Sequence, residues 1–486
     1  MSFRRVRPAA LAGVLLFLCL FPLFSNDLQS ALDLYNRGEF EQAKSVMEAL
    51  RDRGRLNAPG FALLGLVYIN TGELGDAEGA IELAARIDPQ EYLVRFARAH
   101  LHLSKAEYTR AEQLFSELRA AYPQRGEVLS GLASTLAGKS LDLIHNEEFE
   151  AAAELSARAV RLQPDNPRLL SHLIAVLRRT DRRTELEEAY RRLLELQPGS
   201  GDAYAGLGVL LHEQGEREAA RAYLKQAVYF DTVDPEPFLI LGKHAAEEGK
   251  IENAQGLLQE AVGKAVQLFN MFRMQAAREI DTQSAQDAQD AQDAQQLERI
   301  QSLSEQSKRP KRLLEESLAA LNTLYSEPEE LLAVLRRLAD WYSSSTDVRT
   351  VLAEQLMAAG YTAQAREEWQ QLSETYPFYY RAHLGLAECY RREGAETKAA
   401  LSARKALDLA PDEPDVYDRL RAIYRQQGKP EVYLQVLELR ILKDKYNPLL
   451  YRKAAAAAEE LGRSEKAELF RERLQVLSED RESAPR

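Results

Sequence analysis

The side chains of this 486-residue chain best equipped for chemistry are its histidines, its two cysteines and its paired arginines. Seven histidines occur, at His100, His102, His145, His172, His212, His244 and His383. His212-Glu213 opens like the zinc-protease pattern, in which two histidines four residues apart hold a metal from one helix face, but residue 216 is Glu216. His100 and His102 are two residues apart, so a helix turns them to different faces and they make a poor metal pair. Cys19 lies in an apolar N-terminal run, which leaves Cys389 alone; one thiol forms neither an intrachain disulfide nor a zinc cluster. GLASTLAGKS at 131–140 ends like a phosphate-binding loop, yet six residues separate Gly131 from Gly138 where the motif has four, and no strand precedes it. No Gly-x-Ser-x-Gly occurs. These patterns imply no metal, no cofactor and no catalytic site, and the chain is read as a binding protein. The arginine pairs Arg178/Arg179 and Arg391/Arg392 suit a different chemistry, holding carboxylates through charge-assisted hydrogen bonds.

What positions such arginines is helix. Apolar residues make up 45% of the chain, enough for a sizeable core. Ala, Leu, Glu, Arg and Gln dominate and are good helix formers, while runs of Val, Ile and Thr at period two are missing. The formal net charge is -12, and the three basic residues of the first 25 (Arg4, Arg5, Arg7) have no acid beside them. The rest is therefore more acidic still and a poor general partner for nucleic acid.

Residues 1–25 have the layout of a secretory signal: the three arginines, the 16-residue apolar run AALAGVLLFLCLFPLF at 9–24, and small Ser25 at the point of cleavage. Pro22 and the shortness of the run favour a cleaved signal, with an uncleaved membrane anchor through 9–24 as the alternative. Lipidation at Cys19 is a weaker one, since Leu18 stands where a small residue is normal. Asn26 or Asp27 is suited to cap the first helix of the folded part.

A short pattern, Gly-x-x-x-x-Ala, recurs through the rest. Gly38 and Gly72, Gly215 and Gly249, and Gly360 and Gly394 are each 34 residues apart, with Gly428 and Gly462 continuing the last series. The chain tiles into units at 24–57, 58–91 and 92–125; at 133–166, 167–200, 201–234 and 235–268; and at 312–345, 346–379, 380–413, 414–447 and 448–481. Seven extra residues, 126–132, lengthen one first helix. Each unit reads as two helices and a tight turn. In 58–91, Gly72 ends the first helix, Gly65 and Ala77 let the two helices approach, and Leu64, Tyr68, Ile81 and Ala84 form the seam. Pro89 stops the second helix. Leu207, Gly208, Leu211, Gly215, Ala220, Leu224 and Ala227 repeat the set.

These units resemble the tetratricopeptide (TPR) family over nearly all of 26–481. The departures are Ala106, Glu147, Asp181 and Ser326 at the turn-glycine column, and Leu186, Leu331 and Tyr433 at the alanine column. The resemblance implies an all-α solenoid of helix-turn-helix hairpins wound into a right-handed superhelix, with first helices lining a concave groove for an extended peptide or a partner helix. It also places residues 2, 5, 9, 12 and 13 of each unit on the concave side, hence Arg178, Arg179, Lys243, Arg391, Arg392 and Arg425 as candidate ligand contacts, with Arg182 and Arg183 at the adjoining turn. The ninth residues Leu66, His100, Ala175, Val209, Lys243 and Glu388 do not reproduce the family's Lys/Asn carboxylate clamp.

Between 269 and 311 the repeat lapses. KAVQLFNMFRMQAAREI is helical, with Phe269, Met271, Phe272 and Met274 read either as a capping contact or as a partner surface. QSAQDAQDAQDAQQ follows, at a period of three that suits a solvated helix or spacer, and KRPK reads as a turn. The expected organisation is a signal or anchor at 1–25, an array at 26–268, an insertion at 269–311, an array at 312–481 and a tail at 482–486. The expected role is a protein-binding scaffold in the bacterial cell envelope, periplasmic or anchored as an assembly factor. The alternative is a carbohydrate- or peptidoglycan-binding module that stacks sugars on groove tyrosines and Trp369.

Overall fold

A computed structural model describes residues 26–284 and 290–483. The N-terminal run and the readings attached to it lie outside them. Among the described residues the chain is 81% helical, in 24 helices with no strand, and its fold is an all-α solenoid of helical hairpins. It divides into two compact units, 1–233 and 234–486.

In the first unit, α1 (Asn26–Asn36) pairs with α2 (Phe40–Asp52), α3 (Ala58–Thr71) with α4 (Leu74–Ile87), and α5 (Tyr92–Ser104) with α6 (Tyr108–Ala121). α7 (Gly126–His145) pairs with α8 (Phe149–Leu162), α9 (Pro167–Leu177) with α10 (Arg183–Leu196), and α11 (Gly201–Glu213) with α12 (Arg217–Tyr229). The extra residues 126–132 are absorbed at the start of α7, which runs for 20 residues.

The hairpin turn has one chemistry. Gly72 takes φ 89°, and the amide of Glu73 donates to the carbonyl of Tyr68 at 2.9 Å, closing α3. Ala106 and Glu147, which depart from glycine at this column, still adopt the left-handed backbone at φ 59° and 62°. Their turns keep the same closing bond, Glu107 to His102 at 2.9 Å and Glu148 to Leu143 at 2.8 Å. The neighbouring repeats enforce a conformation that costs an L-residue about 1–2 kcal/mol. Ala106→Gly is therefore expected to stabilise the first unit by about 0.5–1 kcal/mol, read as a raised urea midpoint; a lowered midpoint would contradict this. At Asp181 the turn changes type. Thr180 Oγ1 donates to the Leu177 carbonyl at 2.9 Å and the amide of Arg183 to the Asp181 carbonyl at 2.8 Å, with no left-handed residue.

Helices within a hairpin approach where a side chain is missing. A Cβ at Gly208 would lie 2.7 Å from Leu224 Cδ2, and one at Gly242 2.8 Å from Leu258 Cδ2. Gly65 meets Ile81 in the same register.

The second unit begins with α13 (Glu236–Glu247), α14 (Ile251–Ser284), α15 (Asp290–Thr323) and α16 (Pro328–Trp341). It continues with α17 (Thr346–Ala358) and α18 (Thr362–Thr375), α19 (Tyr380–Arg392) and α20 (Glu396–Leu409), α21 (Pro414–Gln426) and α22 (Pro430–Lys443), and α23 (Pro448–Glu460) and α24 (Ser464–Ser483). Tyr433, buried where Ala399 stands one repeat earlier, accompanies looser packing of α21 on α22 than of α19 on α20.

The compact units part after Val233. KRPK at 308–311 is not the expected turn. α14 and α15 are each 34 residues long, about 50 Å at 1.5 Å per residue, and pack on each other, so the second helix of one repeat and the first of the next are simply extended. Pro310 lies inside α15. Only part of the expected apolar contact forms: Phe272 is buried, while Met271 and Met274 are exposed.

An ion pair secures α15. Arg309 donates to both carboxylate oxygens of Asp234, at 3.1 and 2.9 Å, and to Glu236. Burial works against the guanidinium's charge, but the two carboxylates outweigh it and push its pKa up. Arg309→Ala is expected to cost about 2 kcal/mol, because it removes the guanidinium that Asp234 and Glu236 share at a part-buried place. Hydrogen exchange along 303–323 should accelerate; unchanged exchange there would contradict the assignment.

Candidate functional site

Within each compact unit the first helices of successive hairpins pack on one another: α1 on α3, α3 on α5, α5 on α7 and α7 on α9 in one; α13 on α15, α15 on α17, α17 on α19 and α19 on α21 in the other. The second helices do not pack together to this degree. First helices therefore line the inner face, where their exposed side chains meet.

In the first unit, Arg178 caps α9 in the open, with no hydrogen bond or ion pair of its side chain. Arg179 lays its guanidinium over the ring of Phe149, 4.5 Å from the centroid. Arg182 is held by Glu154 at 2.9 Å and Glu185 at 2.6 Å, and Arg183 by Glu213 at 2.8 Å. Of the four, Arg178 alone has neither a hydrogen bond, an ion pair nor a ring contact.

In the second unit, Lys243 on α13 pairs with Glu316 on α15 at 3.3 Å. The other arginines gather around a carboxylate that sequence reasoning gave no role. Glu388, 8% exposed on α19, accepts from Arg391 Nε and Nη2, both at 2.7 Å, from Arg392 Nε at 3.0 Å, and from Arg419 Nη1 of α21 at 2.5 Å. Burial pushes the Glu388 carboxyl up, but the bonds from Arg391 and Arg392 and the charge of Arg419 hold it at about 2. The outer nitrogens are fixed too: Arg391 Nη1 donates to Gln426 Oε1 and Arg392 Nη1 to the Met357 carbonyl, at 2.8 and 2.7 Å. Arg425, one repeat after Arg391, is exposed and has no hydrogen bond or ion pair. Three guanidiniums thus share one carboxylate, and with Arg425 beside them the face carries three uncompensated positive charges. A readable signal existed: Glu388, Arg391 and Arg392 stand at i, i+3 and i+4, neighbours on a helix surface.

Toward the start of this unit the same face changes sign. An open recess of about 430 Å³ is lined by Glu315, Ala319 and Asn322 of α15, Asp347, Thr350 and Glu354 of α17, and Arg381 of α19. Arg381 is already bonded to Glu354 at 3.1 Å.

Groups with catalytic potential are placed differently. Ser140 Oγ lies 2.8 Å from His172 Nε2, a nucleophile-base distance. Yet Ser140 is fully buried in the seam and also bonds Ser156 at 2.9 Å, so no substrate can reach it, and burial lowers His172 to about 4. Among the described residues no group of three or more His, Cys, Asp or Glu is arranged to hold a metal. Cys389 is fully buried, 3.4 Å from Met357 Sδ. Burial, then the charges of Glu393 and Glu388, push its thiol up to about 12. In the folded chain Cys389 is expected to resist iodoacetamide at pH 8 and to react only once denatured, read by peptide mapping; rapid native labelling would contradict this packing.

The tetratricopeptide repeat family model matches residues 28–92, 187–235 and 350–414. The chain is a TPR protein. The TPR repeat-containing protein YpiA of Bacillus subtilis (strain 168) is 26% identical to this TPR protein over 226 residues, 46% of this chain and 52% of that one. Protein O-mannosyl-transferase TMTC1 of Homo sapiens is 25% identical over 169 residues, 34% of this chain and 18% of that one. The chain therefore spans about half of the first relative and under a fifth of the second. Among solved structures, YrrB, a TPR protein with an unusual peptide-binding site, is 19% identical with a TM-score of 0.29, covering 38% of this chain and 90% of YrrB. PilF of Pseudomonas aeruginosa is 19% identical with a TM-score of 0.32, covering 41% of this chain and 88% of PilF.

Proposed function

We propose that this TPR protein is a non-catalytic scaffold of the bacterial cell envelope that holds a protein partner, as an extended segment or a helix, along its inner face. TPR repeats mark protein-protein interaction. The observation that carries the reading is the run of first helices α13 to α21, which pack side by side and present guanidiniums and carboxylates outward from a rigid frame. Fixed donors on a preorganised surface bind at low cost in entropy. The envelope location rests on residues 1–25, whose arginines and apolar run have the form of an export signal.

The sugar-binding alternative loses its chief residue. Trp369 is 3% exposed, with its indole against Gly385, and offers no stacking face. No described helix is long and apolar enough to cross a membrane, so a membrane-anchored assembly factor would depend on 9–24.

The experiment is fractionation of cells expressing tagged chain, with N-terminal sequencing and crosslinking of the recovered protein. Recovery from the envelope fraction with a reproducible crosslinked protein supports the proposal. Recovery from the cytosol with residues 1–25 intact overturns the location, and the absence of any crosslinked protein overturns the scaffold.

A further inference from the structure

We infer that the inner face of the second unit selects an extended segment of opposite charges, acidic at the Glu388 cluster and basic in the recess between α15 and α17. This rests on the scaffold reading and deepens it by naming the ligand's chemistry.

The basic end is a built anion site. Glu388 aligns Arg391, Arg392 and Arg419, so their guanidiniums are held without a ligand and lose little freedom on meeting one. One carboxylate cannot neutralise them, and Arg425 adds an uncommitted fork on the next helix. The neighbouring acids do not supply the balance: Asp418 is paired with Lys453, and Glu460 with Arg421.

The acidic end is a concavity that a side chain can enter, of about 430 Å³, with Glu315 and Asp347 on its walls free of any ion pair. Asn322, Gln355 and Thr350 add neutral polar groups beside them. Arg381 and Glu354, also on the recess wall, pair with each other, so the recess keeps the charges of Glu315 and Asp347 and the sign reverses from the start of α19 to its end. Two helix spacings of about 8–10 Å separate the recess from the cluster, and the step from the first turns of these helices, at Asp347 and Arg381, to their last turns, at Arg391 and Arg425, adds about 15 Å along their axes. At about 3.3 Å per residue the resulting diagonal is spanned by about seven extended residues. A segment of one sign meets repulsion at one end whichever way it lies, while a segment of two signs, about seven residues apart, satisfies both.

The test is fluorescence anisotropy on the full chain with labelled twelve-residue peptides of Gly, Ser and Ala. One pair carries two glutamates and two lysines about seven residues apart, in either chain order; the controls carry four glutamates or four lysines. The expected result is that one mixed peptide binds at least about tenfold tighter than both controls, and that added salt weakens it. Arg425→Glu, which removes no bond within the fold, and Asp347→Lys should each weaken that peptide by about tenfold or more. Equal binding of the all-glutamate peptide, or unchanged binding by both variants, would overturn the inference. So would the absence of binding by any peptide. Partner capture in cells that persists unchanged in Arg425→Glu would overturn this inference and leave the scaffold standing; capture of no protein removes both.

Discussion

Trp369→Ala is expected to destabilise the second unit by about 3–5 kcal/mol. The indole is 3% exposed on α18 and fills the space that Gly385 leaves on α19, where any Cβ would collide with the ring. The substitution opens a void between two helices that hold each other's register. In a solenoid each hairpin is stabilised mainly by its neighbours, so the loss should appear first as faster hydrogen exchange in α18 and α19 and then as a lower urea midpoint by circular dichroism. Gly385→Ala should also destabilise, by about 1–3 kcal/mol, because it overfills the same space. A cost below about 1 kcal/mol for Trp369→Ala would place the ring at the surface and reopen the sugar-stacking reading.

Glu388→Ala is expected to cost about 2–3 kcal/mol, the loss of a buried carboxylate less the screening of partners that are a third or so exposed. Three guanidiniums would then face one another with no anion among them. The direction with pH follows from the depressed carboxyl. Its stabilisation is complete above the ordinary carboxylate range near 4.5 and is lost as pH falls toward about 2. The wild-type advantage over Glu388→Gln should therefore shrink on acidification through that window. A difference that is flat from pH 6 to pH 2.5 would contradict the cluster. The same variant should accept acidic ligands at the vacated place, so stability and affinity move in opposite directions.

The sequence carried the architecture because one short pattern, Gly-x-x-x-x-Ala, has one physical consequence each time it appears: a left-handed closure and a close helix contact. Gly72 with Ala77 and Gly249 with Ala254 are read from spacing alone, and the turns at Gly72 and Gly249 are left-handed as that reading requires. Ala106 and Glu147 show the pattern overriding residue preference, since the flanking helices impose the turn. Pro310 shows the opposite failure. Read locally, a proline after Lys308 and Arg309 ends a helix, but the bonds of Arg309 to Asp234 and Glu236 and the burial of Leu313, Leu314 and Leu318 hold α15 through it. Tertiary contacts of this kind leave no mark in a window of neighbouring residues.

The candidate site was legible by column and not by partner. Arg178, Arg391, Arg392 and Arg425 were named from their places in the repeat, and Arg425 and Arg178 do have their donors free. Lys243 and Arg179 are already engaged, by Glu316 and by the ring of Phe149. Arg419 escaped notice because it acts from α21 on a carboxylate of α19, 31 residues away. A column rule selects side chains that face inward; it does not say which of them spend their charge on one another.

Whether a protein lies along the inner face can be read by photocrosslinking in cells. A benzophenone amino acid placed at Ala422, exposed on α21 beside Arg425, is compared with one at Leu439, exposed on the outer helix α22. A discrete protein adduct is expected from Ala422, reduced by Arg425→Glu, and none from Leu439. Adducts from Leu439 alone, or from both positions without regard to Arg425, would contradict it.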